Sequence, residues 1–285
     1  MKEPFQIGFD VAGDSPRKRR AADEKPWASD HDLIFVNCTA RNCIWSQDRY
    51  WQGDGFCIEG DVRNVAFINC AALDCADGGW DIKAGNVVYV NCVGLRNKKN
   101  FRVWQHGYFY NCLSAYSYKH GGSWISSGLW QRGDVHAEHC TYHNNESQGI
   151  CVEAVAKGEA ARQTEPHATL QNCLVSHDGV GGPAALYVDE SRVTKHDTAE
   201  WQPASENNEA RGVDPQYKAA ATSRAWTGTP ADAFDSGRYG PAKGYHSLIA
   251  AVWRSKSRDE LLTIARALVK HQGWEDFLQQ VAKVK

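Results

Sequence analysis

The amino-acid sequence predicts an all-β fold, a right-handed parallel β-helix with a C-terminal helical cap. Six short runs of alternating apolar residues end in Asn-Cys or a near variant, and each is followed by a second run that begins at or near a glycine. The spacing of the copies varies between the runs and not inside them. The Asn-Gly hairpin signals of an ordinary β-sandwich are missing. Because one such unit cannot bury its apolar face alone, coils of about 22 residues are expected to stack.

The first run of each copy is predicted to be a strand with one face turned inward. Val65 and Phe67, like Val87 and Tyr89, recur at the two-residue period of a strand. The first runs occupy residues 33–38, 65–70, 87–92, 107–112, 135–140 and 168–173. The second runs, expected to form another face of the coil, occupy residues 55–60, 79–85, 101–105, 128–132, 149–154 and 185–190.

Asparagine marks the bend at the end of five of the six first runs. Asparagine tolerates left-handed backbone, and its amide can bond to the asparagine of the next coil. We therefore expect an interior ladder of stacked asparagines. His139 fills the bend of the fifth copy and is expected to act there as a ladder donor. The ladder consists of Asn37, Asn69, Asn91, Asn111 and Asn172.

The ten cysteines are predicted to be structural and reduced. Six of them occupy the same place after the bend, where small, soft side chains can stack from coil to coil in the interior. No pair has Cys-x-x-Cys spacing, so a zinc site is not indicated. The six are Cys38, Cys70, Cys92, Cys112, Cys140 and Cys173.

The two ends of the chain differ from the repeats. Residues 6–13 have the pattern of a second run, so residues 14–32 are expected to form a long charged turn between two coils. Near the C-terminus the apolar spacing becomes helical. We predict a β-helix over residues 1–240 and a helical cap over residues 241–285 that covers the open end of the solenoid.

Composition and charge argue against two classes of partner. The formal net charge is −2, and acidic residues follow directly after the basic cluster at residues 17–20, so nucleic-acid binding is not indicated. No stretch of 18 apolar residues occurs, so a membrane span is not predicted. Residues 1–15 lack the apolar core of a signal peptide, which indicates an intracellular protein or a mature form. A monomer is expected.

The outward positions of the second runs are the candidate binding surface. Parallel stacking places equivalent residues about 4.8 Å apart, so these side chains form columns on one flat sheet. One column holds Asp10, Cys57, Asp81 and Arg102, and the other holds Ala12, Glu59, Lys83 and Trp104. Carboxylates, cations and tryptophans on a long groove suit an extended acidic sugar chain. The residues expected to bind such a substrate are Glu59, Trp104, Trp130, Arg132, Glu153, Tyr187 and Asp189.

The segment ADGGWDIKAGNVVYVNCVGLRNKKNFRVW, residues 76–104, resembles the core of the pectate lyases of polysaccharide lyase family nine. In that family an Asp-Asp-Gly-x-Asp turn, with an Asp from the preceding coil, holds a calcium ion. Asp77 and Asp81 match the first and last Asp of that turn, and Gly78 stands where the family has the second. Asp54 is the candidate ligand from the earlier coil. The resemblance therefore implies a calcium site formed by these three aspartates.

The same resemblance implies β-elimination from an acidic polysaccharide and a secreted or periplasmic location. Removal of the proton on carbon 5 of a uronate requires its carboxylate to be neutralised, which calcium and Lys83 would do. Asn100-Phe101-Arg102 aligns with the family's base-bearing Asn-Gly-Phe-Lys run, so Arg102 is the candidate base and Lys83 the second candidate. Arginine normally stays protonated, although other β-helix lyase families use it as a base. Asp81 completes the expected catalytic set.

Three other interpretations remain open from the sequence. A glycoside hydrolase on the same groove would pair two carboxylates, such as Asp81 with Glu59 or Asp77, or Glu153 with Asp189. A glycan-binding solenoid would use the groove without catalysis. In a purely structural interpretation, Asp81 and Glu59 form salt bridges with the cations of the neighbouring coils.

Several histidines fall in neighbouring coils. A histidine base for a lyase or an epimerase is one interpretation of them, and roles in turns and in the ladder are the other, which we prefer. These histidines are His106, His120, His136, His139 and His143.

Overall fold

The computed structural model describes residues 8–12, 30–47, 50–60, 62–121, 125–153, 165–178, 185–204, 211–212 and 252–283. These residues form three parallel sheets through which each coil passes in turn. This arrangement confirms the predicted all-β parallel solenoid. The basic cluster at residues 17–20, most of the charged turn at 14–32 and the predicted domain boundary after residue 240 lie outside the described residues.

Each sheet contains the equivalent strand of successive coils. The first sheet, which carries the candidate groove, consists of β1 (Phe9–Ala12), β6 (Phe56–Glu59), β9 (Gly78–Ile82), β12 (Lys99–Val103), β15 (Ser127–Gln131), β18 (Gln148–Val152) and β21 (Ala185–Val188). The second sheet consists of β2 (Asp30–Val36), β7 (Val62–Ile68), β10 (Asn86–Val90), β13 (His106–Tyr110), β16 (Val135–Glu138), β19 (Ala168–Gln171) and β22 (Val193–His196).

The third sheet is formed by shorter strands. It consists of β3 (Thr39–Arg41), β8 (Ala71–Leu73), β11 (Val93–Leu95), β14 (Leu113–Ala115), β17 (Thr141–His143), β20 (Leu174–Ser176), β23 (Ala199–Gln202) and the antiparallel β24 (Arg211–Gly212). A hairpin of β4 (Trp45–Gln47) and β5 (Tyr50–Gln52) is inserted before the second coil reaches the first sheet.

Aromatic side chains stack in register inside the solenoid. From the first sheet, Phe56 and Trp80 lie with ring centroids 5.2 Å apart, and Trp80 and Phe101 follow at 4.5 Å. From the second sheet, Phe67 and Tyr89 stack at 5.4 Å. All five rings are buried. The prediction that these alternating residues face the interior is therefore correct. The residues between them in the first sheet accordingly face outward.

The asparagine ladder forms at the bend between the second and third sheets. Asn91 Nδ2 donates to Asn69 Oδ1 at 2.8 Å, and Asn111 Nδ2 donates to Asn91 Oδ1 at 2.9 Å. Asn69 Nδ2 continues the ladder to Asn37 Oδ1 at 3.2 Å. The φ angles of these residues lie between 51° and 56°, as a left-handed bend requires. Hydrogen bonding and backbone conformation thus act together at this corner.

Two details of the ladder differ from the prediction. Asn69 Nδ2 also reaches the backbone oxygen of Trp253, which packs on the outer face of the second sheet, so this part of the ladder is not interior. His139 adopts the bend with φ 54°, but its Nε2 faces Glu138 Oε1 at 3.1 Å. Asn111 Oδ1 is buried and accepts no hydrogen bond from the described residues, so His139 does not act as its donor.

The cysteine ladder is confirmed. The sulfur of Cys92 lies 3.4 and 3.5 Å from the backbone oxygens of Phe67 and Val90, either of which can accept its one S–H, and Cys112 repeats this pattern one coil later. All ten cysteines lie among the described residues and all are free thiols. A thiol at this position finds a hydrogen-bond acceptor on the preceding coil. Its small size also allows the bend to pack tightly.

The tail helices α1 (Arg258–Leu268) and α2 (Trp274–Ala282) lie on the side of the solenoid. Leu261, Leu268 and Phe277 pack with the outward residues Ile68 and Val90 of the second sheet. The sequence predicted that these helices would close an open end, and this placement was wrong. The apolar outer face of the second sheet is what the helices bury. No helix among the described residues is long and apolar enough to cross a membrane.

Candidate functional site

The outer face of the first sheet carries the two columns that the sequence predicted. Cys57 pairs in register with Asp81, and Asp81 pairs with Arg102. The column continues from Arg102 to Trp130. Every second residue of the same strands points inward and is buried in the aromatic core. The residues between them, which form the column, therefore share the outer surface.

Arg102 joins two of the predicted metal ligands. Its Nη2 donates to Asp77 Oδ1 at 2.8 Å and its Nη1 donates to Asp81 Oδ2 at 3.0 Å. Lys98 Nζ lies 3.3 Å from the same Asp77 oxygen. The side chain of Arg102 is only 12% exposed. The aspartates and cations therefore form a buried, charge-compensated cluster beneath the surface of the groove.

Asp54 is the most buried carboxyl of this cluster. Its residue is 3% exposed, and its Oδ1 accepts a hydrogen bond from the backbone N–H of Gly78 at 2.6 Å. Burial and the negative charges of Asp81 and Asp77 raise the pKa of Asp54 to about 8, although Arg102 opposes this shift. At neutral pH Asp54 is therefore largely protonated, and it can donate a hydrogen bond or a proton.

The three aspartates do not fit the calcium site that the resemblance implies. Calcium requires several ionised or carbonyl oxygens that converge on one point. Here the guanidinium of Arg102 bridges Asp77 and Asp81, and Trp104 Nε1 donates to Asp81 Oδ1 at 2.6 Å. The third aspartate, Asp54, accepts a hydrogen bond through Oδ1 from the backbone N–H of Gly78 at 2.6 Å. Among the described residues no group of His, Cys, Asp or Glu has the arrangement of a metal site.

The environment of Arg102 argues against its predicted role as the base. Burial lowers the pKa of its guanidinium, but Asp81 and Asp77 outweigh burial and raise this pKa above its already high ordinary value. A base must be unprotonated to accept a proton, and Arg102 is held protonated by two carboxylates. Its position fits a different role, which is to supply positive charge beside the groove.

Lys83, the second candidate, is also paired. Its Nζ forms an ion pair with Glu59 Oε1 and lies 3.9 Å from Asp81 Oδ2. Burial alone would lower the pKa of Lys83, but the hydrogen bond to Glu59 and the charge of Asp81 raise it. Both salt bridges of the structural interpretation, Asp81 with Arg102 and Glu59 with Lys83, are therefore present.

Lys99 is a candidate that the sequence analysis missed. Burial and the positive charges of Arg102 and Lys98 lower the pKa of Lys99 to about 8, with Asp77 opposing the shift. Its amine makes no hydrogen bond or ion pair with any residue in the described part of the chain. The signal in the sequence was the pair Lys98-Lys99, which stands directly before the base-bearing run and crowds two ammonium groups beside Arg102.

Two tryptophans continue the outer face of the first sheet along the solenoid. Trp104 and Trp130 lie edge to face with ring centroids 4.9 Å apart, and the guanidinium of Arg132 lies 5.4 and 5.7 Å from their ring centres. Trp130 Nε1 donates to Glu153 Oε2 at 2.6 Å, and Arg132 Nη2 donates to Glu153 Oε1 at 2.7 Å. The structure therefore brings together these four predicted substrate-binding residues.

Of the other three predicted binding residues, Glu59 pairs with Lys83, and Tyr187 and Asp189 lie elsewhere. Tyr187 pairs in register with Ile150 and belongs to the interior core, so the prediction that it faces outward was wrong. Asp189 leaves the strand with φ 59° and accepts hydrogen bonds from Ser191 and Arg192. The run at residues 185–190 is one position out of phase with the assumed alternation, and a shift of one residue moves a side chain to the other face.

The histidines take structural positions in the described residues. His143 is buried, its Nδ1 lies 2.9 Å from Ser176 Oγ, and burial with the nearby His177 lowers its pKa to about 3. His136 stacks between Tyr108 and Trp274 at centroid distances of 5.7 and 5.1 Å. Neither histidine lies on the outer face of the first sheet.

Comparison with known proteins identifies no relative. No family model matches the chain, and no curated protein or solved structure matches it significantly.

Proposed function

We propose that this chain cleaves a uronate-containing polysaccharide by β-elimination on the outer face of the first sheet, with Lys99 as the base. The observation that carries the proposal is the amine of Lys99, which has no ion pair in the described residues and a pKa lowered to about 8. A catalytic base works best when its pKa lies near the operating pH. Strongly shifted groups beside a groove are candidate catalytic residues.

The proposed step begins with the neutral amine of Lys99. It takes the proton from carbon 5 of the sugar, the electrons of that bond form the double bond between carbons 4 and 5, and the bond from carbon 4 to the glycosidic oxygen breaks. The departing oxygen takes a proton from water, and the hydroxide that remains takes the proton held by Lys99, which returns the amine to its neutral form. Arg102 and Lys98 supply positive charge for the uronate carboxylate, whose negative charge grows as the proton leaves.

The mechanism proposed for this site does not use calcium. In the resemblance that first suggested a lyase, calcium neutralises the sugar carboxylate. Here the guanidinium of Arg102 lies between Asp77 and Asp81, where the ion would be expected. Arginine offers five N–H donors, of which two are directed at the aspartates, so donors remain for a carboxylate.

Two further features belong to the same proposal. We infer a right-handed coil, because connections between parallel strands of one sheet are right-handed in about 98% of cases. An acidic polysaccharide substrate also favours a secreted or periplasmic location, where such polymers occur.

The protonated state of Asp54 favours a glycoside hydrolase as the second candidate. Hydrolysis requires one protonated and one ionised carboxyl group. Asp54, with its pKa raised to about 8, would be the acid, and Asp81 would be the partner. The burial of Asp54 counts against this role, since a general acid has to reach the glycosidic oxygen.

A substrate screen distinguishes these functions. Purified protein is incubated with pectate, alginate and a neutral glycan, each with added calcium and with a chelator. The lyase proposal expects an unsaturated product that absorbs in the ultraviolet, with equal rates in both conditions. New reducing ends without this absorbance would select the hydrolase. Binding without any cleavage would support the interpretation of the chain as a glycan-binding solenoid.

A further inference from the structure

A polar cleft opens beside the groove, at the turn between the first and second sheets. Its volume is about 280 Å³, and it is lined by Arg63, Asn64, Gly85, Asn86 and Gln105. Ordinary ligand pockets begin at roughly 300 Å³, so a cleft of this size suits a single sugar unit. No residue that lines it is apolar apart from the glycine.

The lining groups suit an acidic sugar. The guanidinium of Arg63 can donate two parallel hydrogen bonds to a carboxylate. The amides of Asn64, Asn86 and Gln105 each offer both a donor and an acceptor, which is what sugar hydroxyl groups require. Together these groups can hold the carboxylate and the hydroxyl groups of one sugar unit.

The cleft adjoins the outer face of the first sheet. Gln105 follows Trp104 directly, and its Nε2 donates to the backbone oxygen of Lys83 at 3.0 Å. Gly85 and Asn86 follow Lys83 on the adjacent coil, and Asn86 pairs in register with His106. A ligand that lies along Lys83 and Trp104 can therefore extend one sugar unit into the cleft, where it meets Arg63 on the preceding coil.

Gly85 keeps the cleft open. A β-carbon at this position would lie 3.6 Å from Arg63 Cγ and from Gln105 Oε1, which is ordinary contact distance. The φ angle of Gly85 is not in the left-handed region. Backbone strain and crowding of a β-carbon thus do not require glycine here, whereas a longer side chain would occupy the space.

We propose that this cleft is a subsite for a carboxylated sugar unit of the substrate, with Arg63 bound to the carboxylate. This inference rests on the proposed function for its substrate class. It goes further in assigning one sugar unit to a place outside the two columns, across the three coils that carry Glu59, Lys83 and Trp104.

Calorimetric titration tests the subsite. The probes are oligogalacturonate and oligomannuronate, each with its carboxyl-reduced neutral form. We expect the wild type to prefer at least one acidic probe, and Arg63→Ala to bind that probe about tenfold more weakly and to lose the preference. Gly85→Leu should weaken binding similarly, and Gly85→Ala should weaken it less. Arg41→Ala, which removes an exposed arginine on the third sheet, is the matched control.

The outcomes separate the subsite from the catalytic proposal. Unchanged binding by Arg63→Ala and Gly85→Leu would overturn the subsite, even if the wild type cleaves the polymer. Equal binding of acidic and neutral probes by the wild type, or no binding at all, would overturn it as well. The expected binding pattern in a protein that cleaves none of these polymers would support the subsite and count against the lyase.

Discussion

Arg102 donates through Nη1 to Asp81 Oδ2 at 3.0 Å, although the two residues belong to consecutive coils and stand directly opposite in the parallel register. The candidate base of the sequence-based interpretation is therefore bound to a residue of the candidate metal site. This ion pair argues against both roles, because the guanidinium stays protonated and the carboxylate oxygen is already engaged. Positive charge at this point remains useful for a substrate carboxylate.

Removal of Lys99 is expected to abolish turnover. Lys99→Met should lower the rate of elimination at least about 100-fold, because general-base catalysis contributes roughly that much. The melting temperature of the variant should not fall, because the change removes a partly buried ammonium group that has no ion pair in the described residues. Lys270→Met, an exposed lysine after the first tail helix, is the control. A Lys99→Met protein with normal rates would refute the assignment of the base.

The pH dependence of the rate provides a second test of Lys99. Its pKa is lowered to about 8, and the neutral amine is the reactive form, so kcat/KM should rise as pH increases through about 8. A rate profile measured from pH 6 to pH 10 on the active polymer checks this. A rate that falls over the same range would instead require a protonated group such as Asp54.

Arg102→Ala is expected to destabilise the protein strongly. The side chain is largely buried between Asp77 and Asp81, and removal of one partner from a buried ion pair costs about 3–5 kcal/mol. The more exposed pair of Arg132 and Glu153 should contribute less than about 1 kcal/mol, so Arg132→Ala is the matched control. Urea unfolding at pH 7 measures both. Equal losses in the two variants would show that the Arg102 cluster is well hydrated.

Asp54→Asn should change how stability depends on pH. The folded-state pKa of Asp54 is raised to about 8, so its contribution to stability is complete below the unfolded pKa of about 4 and is lost as pH rises through 8. Asparagine keeps the acceptor for Gly78 N–H and does not ionise. Relative to wild type, Asp54→Asn should therefore gain melting temperature between pH 5 and pH 9. A constant difference across this range would show that Asp54 ionises normally.

Asn91→Leu is expected to cost about 2–5 kcal/mol of unfolding free energy. The change leaves the buried amide of Asn111 without its acceptor, at about 1–3 kcal/mol, and places leucine at φ 54°, at about 1–2 kcal/mol. Asn91→Gly separates the two terms, because glycine tolerates this φ but cannot bond to the ladder. Urea denaturation should rank wild type above Asn91→Gly and Asn91→Gly above Asn91→Leu. Equal stability of the two variants would assign the whole loss to the hydrogen bonds.

A second corner of the solenoid shows a pattern that the sequence did not reveal. Left-handed residues also mark the bend after the third sheet, at Asn42, Asp74, Arg96, Tyr116 and Asn144. Four residue types share these five positions, so the column has no clear signature in the sequence. The buried amides of Asn97, Asn100 and Asn145 bond to one another and to the backbone nearby, which stabilises this corner instead.

The alternation, the asparagine bend and the cysteine that follows it were sufficient to predict the stacked coils, the inward faces and the two outward columns. These features depend on local geometry, since a strand alternates its side chains every two residues and a left-handed bend selects asparagine. Phe56, Trp80 and Phe101 accordingly stack where the pattern placed them. The same local rule failed at Tyr187, because a shift of one residue reverses the face.

Only the tertiary structure decided how the outward charges pair and which surface the tail covers. Lys83 bonds to Glu59 while Lys99 remains without an ion pair in the described residues, and this difference depends on distances between coils and on burial from water. Desolvation and neighbouring charge together set the pKa values of Asp54 and Lys99, and neither can be read from a residue type. The amphipathic tail predicted helices, but the apolar outer residues Ile68 and Val90 determined where those helices pack.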